Sequence, residues 1–197
     1  MAAYHVSPAN PERQSLRRAL IARREALSAD ERRQLSLQIG AHLLALLDIL
    51  HPASLGFCWP YRGEAELLPA ITAWLAADEK RQAALPVVPD NPGPLQFRAW
   101  RPNSQMLTDR FGIPYPATGA EFQPELLLVP VNGFDVRGYR IGYGGGFFDR
   151  TLAALQPAPV SVGIGFELAR LSDAAPQPHD QPLDWIVTER GYQAREA

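Results

Sequence analysis

The sequence predicts an α/β protein with a mainly parallel central sheet covered on both faces by helices. Three observations carry that expectation. Short apolar runs such as Leu126–Val131, Pro159–Gly165 and Leu183–Thr188 read as strands buried on both sides. They alternate in order with segments of helical period. The chain has 197 residues, enough for one substantial core, with no compositional shift to mark a second domain.

Residues 1–10 have no periodicity and are expected to form a flexible N-terminus. From Glu12 to Leu27 the pattern is helical, with Leu16, Leu20 and Leu27 on one side. Ser28-Ala29-Asp30-Glu31 has the form of a capping box, opening a second helix that runs to about Asp48. Ser54–Trp59 reads as a strand closed by Pro60, and Leu67–Ala77 as a helix with Pro69 tolerated in its first turn. Ala83–Val88 and Leu95–Trp100 are further strand candidates. A single domain over residues 11–190 is expected, with residues 191–197 as a C-terminal tail.

Composition excludes several classes. An apolar fraction of 46% and a charged fraction of 20% are those of an ordinary globular protein. The net charge of −2 argues against a general nucleic-acid binder. Cys58 is the only cysteine, so neither an internal disulfide nor a multi-thiolate metal site can form. No apolar run reaches the roughly 18 residues of a membrane span, and no signal-peptide pattern opens the chain. The expected location is the cytoplasm. Lys80 is the only lysine, so the glycine-rich loop is not a Walker-type phosphate loop.

That loop, Gly138 to Asp149, carries most of the functional information. It lies between the Leu126 run and the helical segment Asp149–Leu155, an order of strand, loop and helix. Glycines let backbone N–H groups converge on an anion, and the dipole of the next helix adds to the attraction. Arg140 is placed to pair with phosphate oxygens, and Asp149 to hold a hard cation. In a parallel sheet, ligands collect at the carboxyl ends of strands. The glycine loop and Pro60–Glu64 both come after strands, so both are expected on one rim. There Glu64 can accept hydrogen bonds from an amino-substituted heterocycle, and Trp59 can offer a ring face. Arg13 and Arg17, one helical turn apart, can clamp phosphates. Most of the arginines on the first two helices (Arg13, Arg17, Arg18, Arg23, Arg24, Arg32 and Arg33) otherwise read as solvated, balanced by Glu12, Glu25, Asp30 and Glu31. Asp184, opening an apolar strand, is a candidate partner for Asp149 around Mg²⁺.

Together these residues resemble the 5-formyltetrahydrofolate cyclo-ligases (methenyltetrahydrofolate synthetases) from about Arg13 to Thr188. The strongest element is Val129-Pro130 through Phe134-Asp135 to Gly138–Arg150. Arg13-x-x-Leu16-Arg17, Gly63-Glu64, Leu85–Val88, Phe111–Pro114 and His179-Asp180-x-Pro182-x-Asp184 support it. The resemblance implies a three-layer α/β sandwich and an ATP- and Mg²⁺-dependent ring closure of 5-formyltetrahydrofolate to 5,10-methenyltetrahydrofolate. It further implies ATP contacts from Arg13, Arg17, Arg140, Ile141, Gly142, Tyr143, Gly144, Gly145, Gly146, Phe147 and Phe148. Folate contacts would come from Trp59, Glu64, Tyr143, Gly144, Gly145, Gly146 and Phe147. Mg²⁺ would sit on Asp149 and Asp184, with Arg140 and Tyr143 as catalytic groups. Small molecules, not nucleic acid or membrane, are the implied partners of a monomer or weak homodimer.

Departures from the family pattern lie near the folate side. Arg13 replaces the usual lysine, Phe147-Phe148 replaces Tyr-Tyr, Ala65-Glu66-Leu67 lacks the common threonine, and Gly165–Leu168 lacks a glutamine often found there. Two other readings therefore stand beside the first. One is a family paralogue that keeps the ATP site but acts on, or only binds, another formylated or folate-like ligand. The other is a nucleic-acid or partner-binding module built on the arginine-rich N-terminal helices, against which the net charge and the lack of interleaved aromatics count.

Overall fold

The structure, a computed structural model, describes residues 11–89 and 93–196; the expected flexible segment 1–10 lies outside them. Two helices come first, α1 (Pro11–Glu25) and α2 (Ala29–Leu50). Glu31 N donates to the Ser28 hydroxyl at 3.2 Å, and Ser28 N returns a bond to the Glu31 carboxylate at 2.9 Å. This reciprocal pairing satisfies N–H groups that a helix start leaves open, as the sequence predicted.

Seven strands form the central sheet: β1 (Ser54–Gly56), β2 (Gln82–Val87), β3 (Gln96–Trp100), β6 (Leu126–Pro130), β9 (Val160–Ile164), β10 (Trp185–Thr188) and β11 (Gly191–Ala194). Their order is β11-β10-β9-β6-β1-β2-β3. Pairing from β10 to β2 is parallel throughout, and only the edge strands β3 and β11 run antiparallel. The α/β class with a mainly parallel sheet is thus the observed one.

Alternation along the strands builds two cores. Leu55, Leu85, Leu126, Leu128, Val162 and Val187 face α2 and α3 (Leu68–Ala76), where Leu43, Leu47, Ile71 and Trp74 fill the space. Ala84, Phe97, Leu127, Val129 and Ile186 face the opposite side. There Phe147, Phe148 and Leu152 of α4 (Phe147–Ala154) pack against them. Helices on both faces give three layers. Among the described residues no helix is long and apolar enough to cross a membrane.

Several segments differ from the sequence reading. The Ser54–Trp59 run is strand only to Gly56. Two small antiparallel ribbons, β4 (Met106–Thr108) with β5 (Pro114–Pro116) and β7 (Gly133–Phe134) with β8 (Arg140–Ile141), are too short to show a period. The tail expected at residues 191–197 is corrected as well. Gly191–Ala194 pairs with all four residues of β10, and Tyr192 rests 6.2 Å from Trp185, ring to ring. Four residues on an exposed edge, too few to show a period, made that strand look like a tail.

The topology also fixes where a ligand belongs. From β1 the chain winds to β2 in one direction; from β6 it winds to β9 and β10 in the other. Winding reverses between β1 and β6, which are neighbours, so the loops leaving their carboxyl ends part there and open a crevice.

One glycine ties the β7–β8 hairpin to the segment that precedes β10. Gly138 has φ 82°, and Leu183 N donates to its carbonyl at 2.9 Å. A Cβ at this position would overlap the Leu183 carbonyl oxygen. Gly138→Ala is expected to destabilise the fold by about 3 kcal/mol, from a strained φ plus the clash. Urea unfolding of the variant checks this.

Candidate active site

The strand β6 does not lead straight into the glycine loop. It first turns through the β7–β8 hairpin, whose tip is organised by Asp135, fully buried. The Asp135 carboxylate accepts from the N–H groups of Arg137, Tyr139 and Ala174 at 3.0–3.1 Å and pairs with the Arg137 guanidinium at 3.0 Å. Phe134-Asp135, part of the family signature, is therefore a scaffold for the glycine loop. Beyond β8, Gly144 (φ 94°) and Gly146 (φ 63°) bend the chain into α4. No side chain caps that helix, so its first N–H groups stay available at the loop.

Two guanidinium groups flank the bend. Arg17, from α1, donates to the Gly142 carbonyl at 2.6 Å and lies 3.1 Å from where a Cβ of Gly144 would stand. Arg150, absent from the expected site residues, lies 2.9 Å from the corresponding point at Gly146 and stacks on Phe147 at 5.1 Å. Any side chain at either glycine would fill the cradle between loop and cation. Burial, then the charge of Arg13, lowers the Arg17 pKa.

Arg140 and Asp149 face each other. Arg140 Nη2 lies 2.7 Å from Asp149 Oδ1, and the same oxygen accepts from Gln181 N at 3.0 Å. Arg140 Nη1 donates to the Gln181 carbonyl at 2.6 Å, and its side chain is only 5% exposed. The guanidinium expected on phosphate is a brace tying the hairpin, the helix start and the 174–184 segment together. Arg13 does similar work from α1: it pairs with Asp180 at 2.7 Å and donates to the Arg140 carbonyl at 3.0 Å. Ile141 is wholly buried in β8.

Asp184 is not brought to Asp149. Its carboxylate accepts from the Ser161 N–H at 2.9 Å and hydroxyl at 2.8 Å, at the amino ends of β9 and β10. Asp184 serves here as a strand-to-strand clamp. Asp149 Oδ2 accepts no hydrogen bond among the described residues, whereas Oδ1 accepts two. One carboxylate oxygen beside a phosphate-type cradle fits Mg²⁺, which keeps few protein ligands when phosphate oxygens complete its shell. No cluster of three or more His, Cys, Asp or Glu among the described residues offers a self-sufficient metal cage.

The loop after β1 comes to the same rim, as its position predicted. Glu64 is 9% exposed; its Oε2 accepts from Tyr61 N at 3.0 Å, and its Oε1 from the Tyr143 hydroxyl at 2.7 Å. Tyr143 in turn accepts from Arg24 Nη2 at 2.7 Å. Because the guanidinium can only donate, the tyrosine proton is directed to Glu64. The rings of Tyr61 and Tyr143, both exposed, lie 5.7 Å apart beside this carboxylate. They form an open aromatic surface. Trp59 instead rests half-buried against the core that faces α2 and α3. Phe147 and Phe148 pack partly into the opposite core, a setting that asks for no hydroxyl.

Arg24, like Arg150, is a residue that sequence reasoning missed. It is 4% exposed and spends its donors on the Arg62 carbonyl (3.1 Å), Asn132 Oδ1 (2.7 Å) and Tyr143 Oη. Its position, four residues after Leu20 and three before Leu27, put it on the apolar stripe; that was the available signal.

Similarity to known proteins identifies the family. The model of the 5-formyltetrahydrofolate cyclo-ligase family matches residues 9–189. The chain belongs to that family. A 5-formyltetrahydrofolate cyclo-ligase of Haemophilus influenzae is 26% identical over 180 residues, covering 87% of this chain and 95% of that protein. One from Mycolicibacterium smegmatis is 34% identical over 106 residues, covering 50% of this chain and 53% of its own. The structure of Aquifex aeolicus 5,10-methenyltetrahydrofolate synthetase superposes with a TM-score of 0.81 at 26% identity, covering 94% of this chain and 93% of that one. In this cyclo-ligase family member, then, loops from both sides of the switch point meet at Glu64 and Tyr143.

Burial pushes the Glu64 carboxyl up, against the opposing pull of the Tyr143 hydroxyl, Arg24 and the Tyr61 N–H. Burial, then the Glu64 charge, also drives the Tyr143 hydroxyl well up, so it remains a donor. The native Glu64 holds its proton more tightly than the unfolded chain does. Its contribution to stability is therefore lost as pH rises from the ordinary Glu range through the raised native value. Glu64→Gln removes that contribution. The stability of Glu64→Gln relative to wild type is expected to be flat below about pH 4 and to improve as pH rises through the window. Urea unfolding at a series of pH values reads this; a change of opposite sign excludes a carboxyl raised by burial.

Proposed function

We propose that this protein closes 5-formyltetrahydrofolate to 5,10-methenyltetrahydrofolate at the expense of MgATP, releasing ADP and phosphate. The observation that carries the reading is the 2.7 Å contact between Glu64 and Tyr143. It joins a recessed carboxylate, suited to N–H groups of a heterocycle, to a glycine loop suited to phosphate. Family membership supplies the reaction class.

In this reading the formyl oxygen attacks the γ-phosphorus, the bond to ADP breaks, and an iminium phosphate forms. The N10 nitrogen then adds to the formyl carbon. Loss of phosphate with the N10 proton leaves the methenyl bridge. No side-chain nucleophile is required, so the chain's task is to position two substrates and offset developing charge. Arg17, Arg150 and the N–H groups of the 144–149 bend would receive the phosphates. Arg13 and Arg140 act by bracing the loop. Asp149 Oδ2 would hold Mg²⁺, whose charge offsets that of the phosphates; Asp184 stays outside that set. Glu64 orients the reduced folate, with Tyr61 and Tyr143 against its ring.

Purified protein mixed with 5-formyltetrahydrofolate and MgATP is expected to develop the near-ultraviolet absorbance of methenyltetrahydrofolate, with no signal when ATP or Mg²⁺ is omitted. Glu64→Gln is expected to lower kcat/KM by about 10²-fold, through lost orientation of the reacting atoms. ATP binding without product from any reduced formylfolate would exclude the substrate assignment.

A further inference from the structure

Asn132 carries a buried donor without an acceptor. Among the described residues its Nδ2 is the buried side-chain polar atom that lacks a hydrogen-bond partner, and the residue is 2% exposed. The two ends of the amide are not interchangeable here. Oδ1 lies 2.7 Å from Arg24 Nη1, and a guanidinium only donates, so the carbonyl must face it and the NH₂ must face away. Buried amides in native proteins almost always find partners, and an exception calls for a cause such as a ligand.

Its position points to the cause. Asn132 continues the alternating row Leu126, Leu128, Pro130 along β6. Leu128 and Pro130 line a depression with Glu64, Cys58 and Pro60 at the carboxyl ends of the strands. The Arg24 fork holds Asn132 Oδ1 with one nitrogen and Tyr143 Oη with the other, and Tyr143 reaches Glu64. A fixed donor and a recessed acceptor thus belong to one cluster, set by one guanidinium.

We infer that the Asn132 side-chain amide is a specificity-determining donor that accepts only ligands presenting a carbonyl-type oxygen beside a group that donates to Glu64. The inference rests on the proposed function and deepens it: the pterin edge of a reduced folate carries a ring carbonyl next to N–H donors. Asn132 touches no reacting atom; it selects the ring and fixes its orientation. A site built around a buried donor rejects ligands that leave it unmatched.

The test is calorimetric titration of full-length wild type, Asn132→Asp and Asn132→Ala with 5-formyltetrahydrofolate and, separately, with MgATP. Asn132→Asp keeps the acceptor for Arg24 but presents an acceptor where the donor stood. It is expected to bind the reduced folate at least about tenfold more weakly while holding MgATP within about twofold. Melting of the free Asn132→Asp protein is expected near the wild-type temperature, since the new charge pairs with Arg24 and offsets the unmatched oxygen that replaces the unmatched donor. Unchanged folate affinity in Asn132→Asp overturns the inference. If that variant does not fold, Asn132→Ala decides: weakened folate binding supports the donor role and unchanged binding overturns it. Wild type that binds MgATP but no reduced folate overturns the functional reading instead.

Discussion

The buried guanidinium of Arg24 is the constraint on which the site depends. Its three contacts reach the β1 loop through the Arg62 carbonyl, the end of β6 through Asn132, and the glycine loop through Tyr143. Those three segments are remote in sequence and come from opposite sides of the topological switch. A buried cation has to be matched on every donor or its desolvation is uncompensated. The requirement works in both directions. It holds α1 at one rotation over the rim, and it holds the two loops at the separation where Tyr143 and Glu64 meet.

Two ion pairs repeat this logic further along the rim. Arg13 with Asp180 and Arg140 with Asp149 fasten α1, the hairpin and the 174–184 segment around the start of α4. Charges that look like ligand contacts in one dimension are therefore divided in the fold. One set braces the backbone. Arg17 and Arg150 have no carboxylate partner among the described residues and stand beside the positive-φ glycines. A rigid loop with open N–H groups and flanking cations suits phosphate, because the charges are in place before the ligand arrives.

Much of this was legible in the sequence. The capping box at Ser28, the continuous apolar strands and the glycine run each reflect local chemistry that survives in one dimension. The meeting of the Glu64 loop with the glycine loop was also foreseeable, because both leave the carboxyl ends of parallel strands. What stayed hidden was the partner of each charge. Arg24 looked like one more solvated arginine because its acceptors lie at residues 62, 132 and 143. Asp184 looked like a metal ligand because its partner Ser161 lies on the neighbouring strand. The β7–β8 hairpin and β11 were missed because two to four residues carry no period, and only the pairing partner distinguishes them from loop.

The central claim is that Glu64 and Tyr143 act as one unit joining two half-sites. A double-mutant cycle with Tyr143→Phe and Glu64→Gln, read as affinity for 5-formyltetrahydrofolate, tests it most directly. The account predicts that the double variant loses less than the sum of the singles, by about 1 kcal/mol or more. Losses that add to within about 0.3 kcal/mol would show two independent contacts and contradict the joined site.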